Sequence, residues 1–165
     1  MIRIAFFVCL ALALNATPSG AEPVFEVMGA HTTSPEVLMP VMDVGMGAQF
    51  DVVVLLNSED SPSAAAEFVI TELLQIAPGV FKLGSSLDHL SPLLWINDWP
   101  GEYIIAFGGC MPAGSGLELL RVTYGTFGGP VPPDTVIELR GFQPGDSFPS
   151  AFDGNPGIID CSDNG

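Results

Sequence analysis

Short apolar runs, each cut off by glycine or proline, recur along the chain. Fifteen prolines and nineteen glycines in 165 residues leave little room for a long helix, because both residues end regular structure. The runs between these breaks carry strand residues. The stretch Phe50-Asp51-Val52-Val53-Val54-Leu55-Leu56 is the strongest, since three consecutive valines are stiff at χ1 and suit a pleated sheet. Further strands are predicted over residues 23–31, 80–83, 93–97, 102–107, 117–124, 135–142 and 157–161. Residues 65–74 are mixed: Ala and Glu permit helix, while Phe68, Val69, Ile70 and Thr71 favour strand. Pro78-Gly79 and Asp98-Trp99-Pro100-Gly101 read as turns. Residues 32–47, rich in Met and Pro, are expected to be irregular with one edge strand near 37–41, and residues 84–92 to carry a helical turn.

Period-2 alternation gives these runs two faces. Over residues 117–124 it sets Glu118, Leu120, Val122 and Tyr124 against Leu117, Leu119, Arg121 and Thr123. Over residues 135–142 it sets Val136, Glu138 and Arg140 against Ile137, Leu139 and Gly141. Apolar faces of this kind close a core between two sheets. The expected fold is all-β: a two-sheet antiparallel β-sandwich, jelly-roll or Ig-like, of about nine strands.

The first residues differ from the rest. Arg3 precedes an uncharged apolar run over 4–14, and Ser19-Gly20-Ala21 offers small residues before Glu22. That is the three-part pattern of a secretory leader. The apolar run falls short of the roughly 20 residues that a spanning helix needs. The expected division is a signal peptide over 1–21 and a single domain over 22–165, secreted to the extracellular space or the periplasm. No membrane span is expected in the mature chain.

Charge narrows the partners. Beyond residue 21, Lys82, Arg121 and Arg140 stand against nineteen acids, a balance near −16. Phosphate backbones need clustered cations, so nucleic acid is excluded as a partner, and an anionic lipid surface would repel the domain. The acids are scattered, which suits a solubilising surface or a surface that attracts cations. Cys9 falls in the leader. Cys110 and Cys161 remain as an even pair, which in an exported chain predicts a disulfide.

The strand order resembles that of cohesin-like β-sandwiches, of related carbohydrate-binding modules, and of many small exported bacterial proteins. The likeness is carried by QFDVVVLLNS, AAEFVIT, GEYIIAFGG, LELLRVTYGTF, TVIELRGF and FDGNPGIID, together spanning residues 47–160. It implies a sandwich fold and a binding role, with no catalytic motif and no dockerin-contacting residue carried over. The chain departs from cellulosomal cohesins in its cysteine pair, and it shows neither a dockerin-like calcium repeat nor a Leu-Pro-x-Thr-Gly sorting motif.

Several residues could carry function. Trp95 and Trp99 bracket Asn97 and Asp98, with Tyr103 close behind. Aromatic faces beside amide and carboxylate groups can stack on and hydrogen-bond a sugar ring. Trp95, Asn97 and Trp99 share a side only if the strand runs on into the turn. Otherwise Trp95 is a core ring and Trp99 caps the turn. Asp153, Asn155, Asp160 and Asp163 are oxygen donors of the kind calcium takes, although the spacing is not that of an EF-hand and Asp153-Gly154-Asn155-Pro156 is ordinary turn chemistry. Met39, Met42 and Met46 read as core filling in preference to a thioether copper site. His31 and His89 are isolated, and neither Gly-x-Ser-x-Gly nor His-Glu-x-x-His occurs.

The expected function is a non-enzymatic binding or structural module for a polysaccharide or an extracellular protein, without a resident cofactor other than calcium. Two alternatives stand beside it. One is a subunit of a surface assembly that self-associates through edge strands. The other is a small secreted hydrolase using paired carboxylates.

Overall fold

The computed structural model describes residues 2–6, 23–58, 62–86, 93–99, 101–127, 131–132, 134–147 and 154–161. In chain order the strands are β1 (Ile2–Phe6), β2 (Val24–His31), β3 (Ser34–Met39), β4 (Val41–Val44), β5 (Gln49–Ser58) and β6 (Ser63–Ile70). A one-turn helix, α1 (Leu73–Ile76), comes next. Then follow β7 (Val80–Ser86), β8 (Leu93–Trp99), β9 (Glu102–Met111), β10 (Gly114–Thr126), β11 (Thr135–Ile137), β12 (Leu139–Arg140) and β13 (Gly157–Asp160).

Two five-stranded antiparallel sheets form the body, as the alternation predicts. The first has the order β3-β2-β5-β10-β7. The second has the order β12-β6-β9-β8, with β13 also pairing β6. A small third sheet, β11-β1-β4, lies beside them. Since β4 follows β3 and β11 leads into β12, it links the two layers. Its β1–β11 pair is parallel.

Inward residues alternate along each strand. Phe50, Val52, Val54 and Leu56 of β5 meet Ala66, Phe68 and Ile70 of β6 and Tyr103, Ile105 and Phe107 of β9 in one core. Each layer carries an aromatic pair at directly opposed positions: Phe50 on Tyr124 at 5.7 Å and Phe68 on Tyr103 at 5.6 Å. Phe25 joins the layers by meeting Phe68 at 5.9 Å. Burying one such ring stabilises by about 1.5–3 kcal/mol. On the side where β7 approaches β9, Lys82 Nζ lies 5.7 Å from the Tyr103 ring centroid. A cation turned inward on an edge strand also discourages pairing with another chain.

Some expectations are corrected. Residues 32–47 form two strands, β3 and β4, separated at Pro40, because their backbones find partners in β2 and β1. The mixed segment 65–74 divides: strand ends at Ile70, and Leu73 starts α1 with Glu72 as its cap, accepting from the Leu74 N–H at 3.3 Å. Residues 84–86 are strand, not helical turn, and 87–92 lie outside the described residues. The faces predicted for residues 135–142 hold, with Ile137 and Leu139 buried and Glu138 exposed. Those for 117–124 hold only from Leu120 onward. A bulge between Glu118 and Leu120 reverses the parity, turning Glu118 outward to Arg121 and Leu119 into the core.

Cys110 and Cys161 form the expected disulfide, with Cα atoms 5.9 Å apart. Cys110 lies in β9 and Cys161 directly follows β13, the two strands that flank β6. The Cys161 N–H donates to Pro62 O at 2.9 Å, so the bridge spans the start of β6. As a bonded cysteine, Cys110 is no thiol nucleophile. No helix among the described residues is long and apolar enough to cross a membrane.

Candidate functional site

The outer face of the second sheet gathers the residues with the most chemistry. On β6 the inward parity is Ala66, Phe68 and Ile70, which leaves Ala65, Glu67 and Val69 on the outer parity. On β9, Tyr103, Ile105 and Phe107 point inward, so Glu102, Ile104 and Ala106 share the outer parity. Register then defines three rows of positions: Arg140, Val69, Glu102 and Trp99; Gly157, Glu67, Ile104 and Asn97; Ile159, Ala65, Ala106 and Trp95.

Strand β8 runs unbroken from Trp95 to Trp99, its one irregularity falling between Leu93 and Trp95. The condition set by the sequence is therefore met: Trp95, Asn97 and Trp99 occupy register positions of one parity, along an edge strand. Asp98 pairs opposite Tyr103, on the other parity, so the register separates it from Asn97. Tyr103 itself is 0% exposed and offers no face to a ligand, a correction to its expected place in a stacking surface. Its parity with Ile105 and Phe107 commits it to the core. Pro100, between β8 and β9 in sequence, lies outside the described residues.

Two carboxylates that the sequence reading passed over stand in the middle of this face. Glu67 is 6% exposed and Glu102 is 8% exposed. They are diagonal neighbours, since Glu67 pairs with Ile104, two residues from Glu102. The Glu102 carboxylate accepts from the Ser147 N–H at 3.1 and 3.2 Å and from Ser147 Oγ at 3.3 Å. Beyond Val69, Arg140 forms a two-pronged pair with Asp146, at 2.6 and 2.9 Å. The hydrogen bonds to Asp146 raise the affinity of the Arg140 guanidinium for its proton, and the charges of Asp146 and Glu102 add to this. The clue in the sequence was a single Glu alternating between Ala65 and Val69 in a segment otherwise apolar.

A second charged cluster lies on the outer face of the first sheet. Arg121 donates to Asp51 at 2.8 Å and to both oxygens of Glu118 at 2.8 and 2.7 Å, while Thr123 Oγ1 donates to Asp51 at 2.8 Å. The Glu118 hydrogen bonds hold Arg121 firmly protonated, with further support from Asp51. Every group here satisfies another, which marks a structural network.

The calcium candidates are dispersed. Asp153 and Asp163 lie outside the described residues, Asn155 is exposed in a turn, and Asp160 pairs with Ser63 in β13. Among the described residues no three His, Cys, Asp or Glu side chains gather as a metal site. Met42 is buried, Met39 packs against the core and Met46 is exposed, so the three methionines do not act as one group. His31 closes β2, and His89 lies outside the described residues.

No protein-family model, no curated protein and no solved structure matches this chain. The class that the fold defines is the two-sheet β-sandwich.

Proposed function

We propose that this domain is a secreted, non-enzymatic binding module that takes up a polysaccharide on the outer face of its second sheet. One observation carries the reading. Trp95, Asn97 and Trp99 occupy alternate positions of an edge strand whose rows continue through Ala106, Ile104 and Glu102 to Glu67. A sugar chain offers apolar ring faces that stack on aromatic side chains and hydroxyls that hydrogen-bond amide groups. Small residues at Ala65 and Ala106 keep the middle of the third row low, and Gly157 does the same at one end of the second. The leader pattern over 1–21 and the cysteine pair support an extracellular or periplasmic location. The strong negative charge favours neutral glycans over acidic ones.

Native gel electrophoresis through gels cast with individual soluble polysaccharides tests this. Retardation by at least one neutral polysaccharide is expected, weakened about tenfold in affinity by Trp99→Ala or Trp95→Ala. Unaltered mobility in every gel, together with tryptophan fluorescence that no glycan changes, would remove the proposal.

A second reading is favoured by the diagonal placement of Glu67 and Glu102. Two carboxyl groups on one face are the minimum machinery of glycoside hydrolysis. Release of reducing ends from a retarding polysaccharide, abolished by Glu67→Gln and by Glu102→Gln, would replace the binding module with a hydrolase.

A further inference from the structure

The small sheet contains a strand that the leader reading assigns to a removed segment. β1 is its middle strand, antiparallel to β4 and parallel to β11. Ile2 pairs with Val44, Arg3 with Asp43, Ile4 with Met42 and Ala5 with Val41. On the other side Ile4 pairs with Thr135, Ala5 with Val136 and Phe6 with Ile137. Ile2, Ile4 and Phe6 thus fall opposite Val44, Met42, Thr135 and Ile137, all of them buried with β1 in place. Arg3, the sole cation before residue 82, falls opposite an acid.

Removal of residues 1–21 would take the shared neighbour from β4 and β11 together. Their facing backbone groups would lose partners, and Met42, Val44 and Ile137 would lose cover. Buried backbone groups without partners are costly, so such a slot favours any strand that fits it. Within the described residues after 22, every strand already belongs to a sheet, so none is spare to fill it.

From this we infer that the gap between β4 and β11 is a strand-acceptor site, filled after export by an extended segment of a partner protein. The inference rests on the leader reading within the proposed function. The occupant has stated chemistry. It runs antiparallel to β4, places apolar residues at the positions of Ile2, Ile4 and Phe6, and sets Lys or Arg opposite Asp43. Strand addition of this kind draws affinity from main-chain hydrogen bonds and selectivity from alternate side chains. The polarity is fixed, because only one direction satisfies an antiparallel neighbour on one side and a parallel one on the other.

The experiment starts from the oxidised full chain, with a site for a specific protease inserted between Ala16 and Thr17. The folded protein is cut and then challenged with excess fluorescent peptide of the sequence Met-Ile-Arg-Ile-Ala-Phe-Phe-Val. The expected result is a cut fragment that co-elutes with the domain and then exchanges for the labelled peptide. A peptide with Arg3→Glu should bind at least tenfold more weakly, and a peptide of the same composition with broken alternation should not exchange. Failure of the domain to take up the labelled peptide, whether or not it stays folded, overturns the acceptor site. N-terminal sequencing of the exported protein checks the leader reading separately. A chain beginning at Glu22 supports the proposal, and one still beginning at its first residues shows a slot permanently filled from within and overturns it.

Discussion

Arg121 reaches across from β10 to place Nη1 2.8 Å from the Asp51 carboxylate of β5, whose side chain is only 5% exposed. The pair is nearly buried in the middle of the first sheet, and Thr123 completes the hydrogen bonds of Asp51. Removing Arg121 leaves the Asp51 charge desolvated and without a counter-ion among the described residues, with only the Thr123 hydroxyl still bonded to it. Arg121→Ala should therefore cost about 3 kcal/mol or more of unfolding free energy, read from urea titration. The double change Asp51→Val with Arg121→Val should recover a large part of that loss, since it leaves no buried charge orphaned and the partly exposed Glu118 carboxylate can turn to water. A double variant as unstable as the single one would show that the network is needed for the sheet itself.

Gly141 passes close under the backbone of Gly154 and Asn155. A β-carbon at position 141 would lie 2.2 Å from the Asn155 carbonyl carbon and 2.4 Å from that of Gly154. Backbone cannot swing aside as a flexible side chain can. Gly141→Ala should cost about 1–3 kcal/mol, as overpacking does. The control is Gly109→Ala, where a new β-carbon meets nothing within 4 Å. Thermal melts should separate the two variants clearly, and equal midpoints would refute the close approach.

The sandwich was legible because alternation is enforced wherever one face of a strand is buried. The run Phe50, Val52, Val54, Leu56 states its inward face outright, and so do Ile137 and Leu139. What alternation cannot announce is an irregularity. The bulge at Glu118–Leu120 arises from pairing with β5, and no residue type there requires it. Strands β3 and β4 exist because β2 and β1 offer them partners, which their Met- and Pro-rich composition does not reveal. For the candidate site, the parity of Trp95, Asn97 and Trp99 was readable once the strand was allowed to run to Trp99. The burial of Tyr103 was readable too, from Ile105 and Phe107 at the same parity. The closeness of Glu67 to Glu102 was not, because it depends on the register between β6 and β9.

The disulfide closes a loop with a sequence separation of 51 and holds β13 beside β6. Cys110 is exposed, so a reductant in solution reaches it. In the chain-entropy model a loop of this length is worth up to about 4 kcal/mol. The double variant Cys110→Ser with Cys161→Ser should lose stability on that scale. Hydrogen exchange should show the loss unevenly. Amides of β13 should lose protection first, while those of β6 facing β9 keep theirs, because that ladder does not depend on the tail. Uniform loss across β6, β9 and β13 would mean that the second sheet opens as one unit.

Asp146 links acidity to the edge of the candidate site. The hydrogen bonds from Arg140 hold its carboxyl below the usual aspartate range, helped by the Gln143 N–H at 2.7 Å and by the Arg140 charge. A carboxyl depressed in the folded state stabilises fully above its unfolded value and loses that contribution as pH falls toward its folded value. Arg140 stays protonated in both states throughout, so Asp146 alone sets the window. The contribution should be intact at neutral pH and fade below about pH 4. Arg140 is 40% exposed, so solvent screening keeps the effect modest. Comparing melting temperatures of the wild type and Asp146→Asn from pH 7 to pH 2 isolates it. The two curves should stand apart at neutral pH, the variant lower, and converge in acid. A constant gap down to pH 2 would mean that Asp146 stabilises this edge by means other than its charge.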